Sequence, residues 1–259
     1  MTALGLLLVL AGFLSYLALL FVLHRFTYRT WMFDAVVGVG MAVALMGWAL
    51  GGSGAVTLAA AVLGGAWFLA TRHELKLVGS KRLRLRAGDR VPAFTFLTID
   101  GKPFTEQDLI ANAPALLVLY RGWWCPSSKS QLDELVRERE TLGEVGLTIF
   151  AASVDGPTEA APLQRHVGNK ITILCSVSES LLDEVGVRDQ RGAPWYDRIL
   201  FGAAQKDIAM PAALVIDGAG KIVFAYRSTR VDDRARPADI LNSLYPTRRT
   251  FSKSPQDGR

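Results

Sequence analysis

Two long uncharged runs stand at the start of the chain. No charged side chain occurs in residues 1–23 or in residues 35–71. About 20 apolar residues suffice to cross the hydrocarbon core of a bilayer as one helix. The glycine-rich segment 51–54 interrupts the second run and suits a tight reversal. The pattern predicts a transmembrane anchor over residues 1–72, with three helices at about 2–23, 31–50 and 55–71.

The first run has one alternative interpretation, a cleavable signal peptide. It lacks a basic segment at its start and a clear small-residue cleavage site, so the anchor is favoured. Asp34 falls near the start of the second predicted helix, where an acidic side chain can lie at the membrane interface rather than in lipid.

Basic residues set the expected orientation of the anchor. Arg25 and Arg29 lie between the first two predicted helices. Six more follow the third helix: Arg72, Lys76, Lys81, Arg82, Arg84 and Arg86. Lys and Arg in short loops are retained in the cytoplasm, and three crossings place both groups on one side. The sequence therefore predicts an integral protein of the inner or plasma membrane with a cytoplasmic C-terminal domain.

The basic segment at 73–87 is predicted to be a linker. The net charge of +5 would also suit nucleic acid, but no aromatic interleaving or binding motif accompanies it. We therefore expect a collar on anionic lipid headgroups, with the lipid bilayer as a partner and no nucleic acid.

After the collar, short apolar runs alternate with amphipathic stretches, which predicts one domain over residues 88–246. Asp-Gly turns indicate hairpins near residues 100 and 218. Pro237 suits the first turn of a last helix. The expected strands cover residues 94–97, 116–120, 147–153, 171–174, 212–216 and 221–226. This order predicts an α/β sheet of mostly parallel strands with a late antiparallel pair and helices on both faces. The tail, residues 247–259, is basic and is predicted to be disordered.

One cysteine stands where a buried strand is predicted to give way to a helix. Cys125 follows the apolar run that ends at Tyr120, and Pro126 suits the first helical position. Backbone N–H groups and the helix dipole stabilise a thiolate there, and Arg121 adds a nearby cation. The alternative is a buried structural cysteine with a chance arginine beside it.

The segment from Tyr120 to Ser128, Tyr-Arg-Gly-Trp-Trp-Cys-Pro-Ser-Ser, resembles the Tyr-Arg-Gly-x-Trp-Cys-Pro-x-Cys signature of the redoxin group. That group includes alkyl hydroperoxide reductase and thiol-specific antioxidant proteins, and the likeness is to its peroxiredoxin-like branch. Five further fragments resemble this family in the right order, beginning at residues 88, 100, 152, 184 and 210. The resemblance covers about residues 86–246.

The resemblance implies a thioredoxin fold and a thiol peroxidase. The Cys125 thiolate would attack the O–O bond of a peroxide, giving a sulfenic acid that another thiol resolves, and Arg121 would help to hold the departing oxygen. Trp124, Pro126, Ser128 and Pro211 would form the wall of the site, with Pro211 as the cis-proline that faces Cys125. The alternative for Pro211 is a trans proline that begins an edge strand.

The sequence departs from orthodox peroxiredoxins around the cysteine. Val118 and Gly122 occupy the places of the proline and threonine in the Pro-x-x-x-Thr-x-x-Cys pattern, so the peroxide-binding hydroxyl is missing. Ser128 replaces the second cysteine of Cys-x-x-Cys, which excludes dithiol exchange through that motif. Efficient disulfide reduction of the thioredoxin type is thereby disfavoured. The expected substrate is a small peroxide, with a thiol or disulfide as the alternative.

Cys175 is the remaining candidate for a resolving thiol. It follows a predicted strand whose end should lie at the same sheet edge as Cys125, although a disulfide needs Cα atoms within about 7 Å. The favoured alternative is a buried apolar residue, which leaves recycling to glutathione or a thioredoxin-like protein. No cofactor is expected. No metal site is expected either, because His24, His73 and His166 are too scattered.

Two classes of function follow. The leading hypothesis is a membrane-anchored thiol-dependent oxidoreductase that reduces peroxides through a single redox-active cysteine. The alternative is a catalytically weak redox sensor or monothiol binding module that acts on a membrane partner.

Overall fold

The computed structural model describes residues 1–23, 25, 30–71, 83–144, 146–204, 206–229 and 233–244. Three helices form the N-terminal part. They are α1 (Thr2–Leu17), which continues as a π-helical turn over Ala18–Val22, α2 (Trp31–Ala49) and α3 (Gly54–Leu69). The predicted helix positions agree with these bounds to within two residues.

Small residues let α1 and α2 pack closely. A Cβ on Gly5 would lie 2.4 Å from the Ala44 backbone nitrogen, and one on Gly40 would lie 2.8 Å from the Val9 nitrogen. Close backbone approach through glycine is typical of helix pairs in membranes, where dispersion contacts drive association.

Two of the three N-terminal helical segments, Thr2–Val22 and Trp31–Ala49, are long and apolar enough to cross a bilayer. Helix α3 is apolar but has 16 residues, about 24 Å at 1.5 Å per residue, so it falls short of a full hydrocarbon core. Asp34 lies in the first turn of α2 and accepts a 2.9 Å hydrogen bond from Trp67 Nε1 near the end of α3. That acid is paired at one end of the bundle.

A seven-stranded mixed sheet forms the second part. Its strands are β1 (Thr95–Thr98), β2 (Pro103–Thr105), β3 (Ala115–Leu119), β4 (Thr148–Ala152), β5 (Thr172–Cys175), β8 (Ala212–Ile216) and β9 (Ile222–Arg227). The spatial order is β2-β1-β5-β4-β3-β8-β9. The short strands β6 (Arg188–Asp189) and β7 (Ile208–Ala209) form a separate pair.

Only the central strands of the sheet run parallel. Strands β3 and β4 are parallel, as are β4 and β5, whereas the other neighbours pair antiparallel. The expectation of a mostly parallel sheet was therefore wrong. The early hairpin β1–β2 adds to β5 and the late hairpin β8–β9 adds to β3, because short turns can join only antiparallel neighbours.

Helices lie on both faces of the sheet, as predicted. They are α4 (Glu106–Ala111), α5 (Pro126–Arg137), α6 (Arg139–Glu144), α7 (Pro157–Val167), α8 (Glu179–Val185), α9 (Trp195–Phe201) and α10 (Pro237–Leu244). Alternate residues of β3 enter different cores: Leu117 and Leu119 join the core beneath α4 and α8, and Leu116 and Val118 join the one beneath α5 and α7. The fully buried β3 thus carries the chain to the active-site edge.

The predicted linker at 73–87 is partly packed structure. Leu83 and Leu85 pack against the core, Arg84 N–H donates to Val185 O at 2.9 Å, and Gly88 N–H donates to Ile222 O at 2.8 Å. The remaining linker residues, Arg29, His24, His73 and the tail at 247–259 lie outside the described residues.

Candidate active site

Cys125 lies at the junction between β3 and α5. The strand ends at Leu119, a five-residue turn follows, and Cys125 is the N-cap of α5 with Pro126 in the first turn. The Cys125 carbonyl accepts the first helical bond from Lys129 N–H at 3.1 Å. The cysteine therefore stands beside the N–H groups that a helix start leaves unpaired.

The thiol is enclosed rather than open. Cys125 is 1% exposed and packs in a small apolar cluster with Trp124, Ala193, Ala203 and Ile208. Phe201 of α9 packs against the same cluster. Helix α9 and its flanking loops thus cover the thiol in this conformation.

Arg121 and Trp124 form a stacked pair beside the cysteine. The Arg121 guanidinium carbon lies 5.2 Å from the centre of the Trp124 ring, and the two residues are 4% and 2% exposed. Arg121 Nη1 lies 4.0 Å from Asp197 Oδ2 on α9. Within the described residues Arg121 Nε has no hydrogen-bond partner. A buried cation thus keeps one donor unused at the site.

Burial dominates the electrostatics of Asp197. It raises the pKa of this carboxyl to about 6, and the Arg121 charge opposes the rise. Helix α9 was not predicted from the sequence, although Trp195, Ile199 and Leu200 recur at a helical spacing. That spacing was the signal for this helix, and it was missed.

Gly122 has a steric reason to lack a side chain. A Cβ there would lie 2.4 Å from Trp124 Nε1. The threonine of the orthodox pattern is therefore incompatible with this packing of Trp124. The Trp124 ring occupies the space that a threonine side chain would need.

Asp155 fixes the turn that carries these groups. Its Oδ2 accepts a 2.7 Å hydrogen bond from Trp123 N–H and a 2.9 Å bond from Ser153 Oγ, and Lys206 Nζ lies 3.6 Å from its Oδ1. Burial raises the pKa of Asp155, and the Trp123 amide and Lys206 act against that rise. Sequence reasoning did not identify Asp155 as a residue of the site.

The buried face of α5 carries polar side chains beside the core residues Leu132 and Leu135. Ser128 is fully buried and its Oγ has no partner within the described residues. Ser130 Oγ donates to Leu20 O at 3.3 Å, and Arg234 Nε donates to Gln131 Oε1 at 2.9 Å. The active-site helix is thus held by the end of the first N-terminal helix as well as by its own domain.

Pro211 is a trans proline, so its prediction as the cis-proline was wrong; the cis peptide bond within the described residues joins Ala113 and Pro114. Pro211 precedes β8, which lies between β3 and β9 and is not an edge strand. Leu119 pairs with Ala212, so Pro211 stands at the sheet edge from which the Cys125 turn leaves.

Cys175 is the last residue of β5 and is fully buried in the core beneath α5 and α7. Both cysteines are free. Strand β4 separates β5 from β3, so the two strands lie about 10 Å apart. Burial raises the pKa of the Cys175 thiol to about 11, and Asp155 adds to the rise. These features suit the apolar alternative for Cys175.

No group of three or more His, Cys, Asp or Glu side chains in the described parts of the chain has the arrangement of a metal site. His166 pairs with Asp133 across 2.6 Å at the surface.

Comparisons with known proteins agree on the family. The AhpC/TSA family model matches residues 87–225, just over half of the chain. A search of the curated proteins finds no match. Among solved structures, reduced Prx3 from Vibrio vulnificus is similar with a TM-score of 0.53 and 16% identity, covering 62% of this chain and 98% of that one.

Two further structures have the same fold. The Vibrio vulnificus Prx3 complex with hydrogen peroxide gives a TM-score of 0.52 at 17% identity, covering 62% of this chain and 99% of that one. A mutant of peroxiredoxin 6 from Arenicola marina gives 0.52 at 15% identity, covering 62% and 72%. The predicted thioredoxin-like, peroxiredoxin-like fold is confirmed. The chain belongs to the AhpC/TSA family and is a peroxidase-like oxidoreductase.

Proposed function

We propose that this protein is a membrane-anchored peroxidase in which Cys125 is the single redox-active thiol. The position of Cys125 at the N-cap of α5 carries the proposal. The unpaired amides of a helix start favour the thiolate, which is the nucleophilic form. Arg121 and Trp124 supply a buried cation and an apolar wall next to it.

The reaction balances with an external thiol as reductant. The thiolate attacks the terminal oxygen of a hydroperoxide, an S–O bond forms, the O–O bond breaks, and the alkoxide takes a proton to become an alcohol. The Arg121 guanidinium stabilises the charge on the departing oxygen. A glutathione or thioredoxin-like thiol then attacks the sulfenic acid and releases water, and a second thiol restores Cys125.

Cys175 does not serve as the resolving thiol in this proposal. The intervening strand and its burial among apolar residues favour a packing role. The two apolar N-terminal helical spans and the uncharged third helix support the anchor, and the basic residues around them favour a cytoplasmic domain.

Steady-state turnover tests the proposal. Full-length protein in nanodiscs would be supplied with hydrogen peroxide and a thiol recycling system. We expect continuous peroxide consumption by the wild type and by Cys175→Ala, and none above background by Cys125→Ser. Loss of turnover in Cys175→Ala, with the fold retained, would contradict the single-thiol mechanism.

The second candidate function is a sensor or monothiol binding module. The 1% exposure of Cys125 and the serine at position 128 favour it. A sensor would oxidise once per molecule and stop even with reductant present, whereas a peroxidase continues to turn over.

A further inference from the structure

Helix α9 presents an apolar outer face beside the enclosed thiol. Ile199 and Leu200 are 74% and 68% exposed, and Trp195 is 64% exposed. The inner face of the same helix carries Asp197 and Phe201, which contact the site. One short helix thus covers Cys125 and turns large apolar side chains outward, an arrangement that water disfavours.

Helix α9 also contacts the end of the first N-terminal helix, through Phe201 on its inner face. The ring of Phe21 stacks on the ring of Phe201 at 6.1 Å, and Leu20 O accepts the Ser130 hydrogen bond from α5. Phe21 is the last but one residue of the candidate span Thr2–Val22. In the proposed anchor this span would end at the membrane boundary, which would place α9 and the start of α5 at the height of the bilayer surface.

The composition of α9 suits that height. Tryptophan is enriched at the level of lipid headgroups. Trp195 stands at the start of the exposed apolar face of α9. A headgroup layer therefore matches this face.

We propose that α9 docks on the bilayer surface and that Cys125 is reached from the lipid side beneath it. The favoured substrates are hydroperoxides of lipid acyl chains rather than peroxides dissolved in water. This inference rests on the proposed peroxidase function. An acyl chain that displaces Phe201 from the apolar cluster around Cys125 exchanges one apolar contact for another, whereas a water-filled path would expose the cluster.

Docking can be measured without activity. A nitroxide would be attached at Leu200→Cys or, as control, at Asn169→Cys, both in a Cys125→Ser, Cys175→Ala background. Asn169 is exposed and lies just before β5, at the opposite edge of the sheet. In nanodiscs of phosphatidylcholine and phosphatidylglycerol, we expect the label at 200 to collide preferentially with lipid-soluble oxygen and the control with an aqueous nickel chelate. Equal access to the chelate at both positions would overturn docking.

The substrate class is tested by a charge placed on α9. The variant Ile199→Asp, Leu200→Asp should lower the turnover of phosphatidylcholine hydroperoxide by about tenfold relative to hydrogen peroxide, since charged side chains oppose insertion. The matched control is Asn169→Asp, Thr172→Asp, which adds the same charge at exposed positions remote from α9. It should leave the ratio unchanged.

An unchanged ratio in the α9 variant would overturn lipid-side access while the peroxidase function stands. No turnover of either peroxide by the wild type would remove the peroxidase function, and lipid-side access with it. The spin-label result would still decide docking.

Discussion

At the residue scale, the neighbours of Cys125 determine what the thiol can do. The place of Cys125 at a helix start was predictable because the residues around it are local in sequence. An apolar run, a turn with arginine and tryptophan, and a proline follow one another directly. The burial of Cys125 was not predictable, because Ala193, Ala203 and Ile208 reach it from segments roughly 70 to 80 residues further along the chain. Local pattern identifies a helix start, but it does not report what packs over that start.

Gly122→Ala tests the packing of the turn. The added Cβ would meet Trp124 Nε1 at 2.4 Å and displace the ring from Arg121. We expect a loss of about 1–3 kcal/mol of stability, seen as a lower Tm and a changed near-ultraviolet circular dichroism signal.

Gly143→Ala is the matched control, because Gly143 lies in α6 with open space around its Cβ position. Alanine in an exposed helix should be neutral or stabilising by up to about 1 kcal/mol. Equal effects of the two substitutions would contradict the steric account of Gly122.

At the element scale, α9 joins the chemistry to the surface. Six strands of the main sheet could be predicted to within one residue from apolar runs. Helix α8 has local signals in Ser178 as a cap and Gly186 as a stop. The order of the sheet could not, because pairing of the two hairpins with β5 and β3 depends on contacts between distant segments. Helix α9 was missed because its helical spacing extends over seven residues only, which is a weak signal.

The pH dependence of stability tests the burial of Asp197. Its pKa rises from 3.8 to about 6 on folding, so the folded state binds the proton more tightly. This contribution to stability is complete below pH 3.8 and is lost as pH rises through about 6. The melting temperature of Asp197→Asn should therefore depend less steeply on pH between those two values than that of the wild type.

The isosteric change at Asp133, Asp133→Asn, provides a control at the surface pair with His166. The melting temperature of Asp133→Asn should keep the wild-type dependence on pH that arises from Asp197. A wild-type slope retained in Asp197→Asn would show that this carboxyl is not the group responsible.

At the scale of the whole molecule, the N-terminal helices and the redoxin domain meet near the active site. The three helices were predictable from the uncharged runs, whereas their contact with α5 and α9 was not, because it joins Leu20 and Phe21 to positions more than 100 residues away. Helix α3 is shorter than the other two segments. Whether it crosses the bilayer decides on which side of the membrane the redoxin domain lies.

Labelling by a membrane-impermeant maleimide tests the crossing number. Ser53→Cys would probe the turn between α2 and α3, and Asn169→Cys the domain, each in the background without native cysteines. If α3 crosses, we expect labelling of position 53 in intact cells and of position 169 only after lysis. Labelling of both positions under the same condition would contradict three crossings.

The identity of the oxidised sulfur tests the central claim most directly. Full-length protein in nanodiscs would receive one equivalent of peroxide in the presence of dimedone, and peptide mass spectrometry would locate the adduct. The account predicts a sulfenate adduct on Cys125 and unmodified Cys175. An adduct on Cys175 alone, or a disulfide that joins the two cysteines, would contradict it.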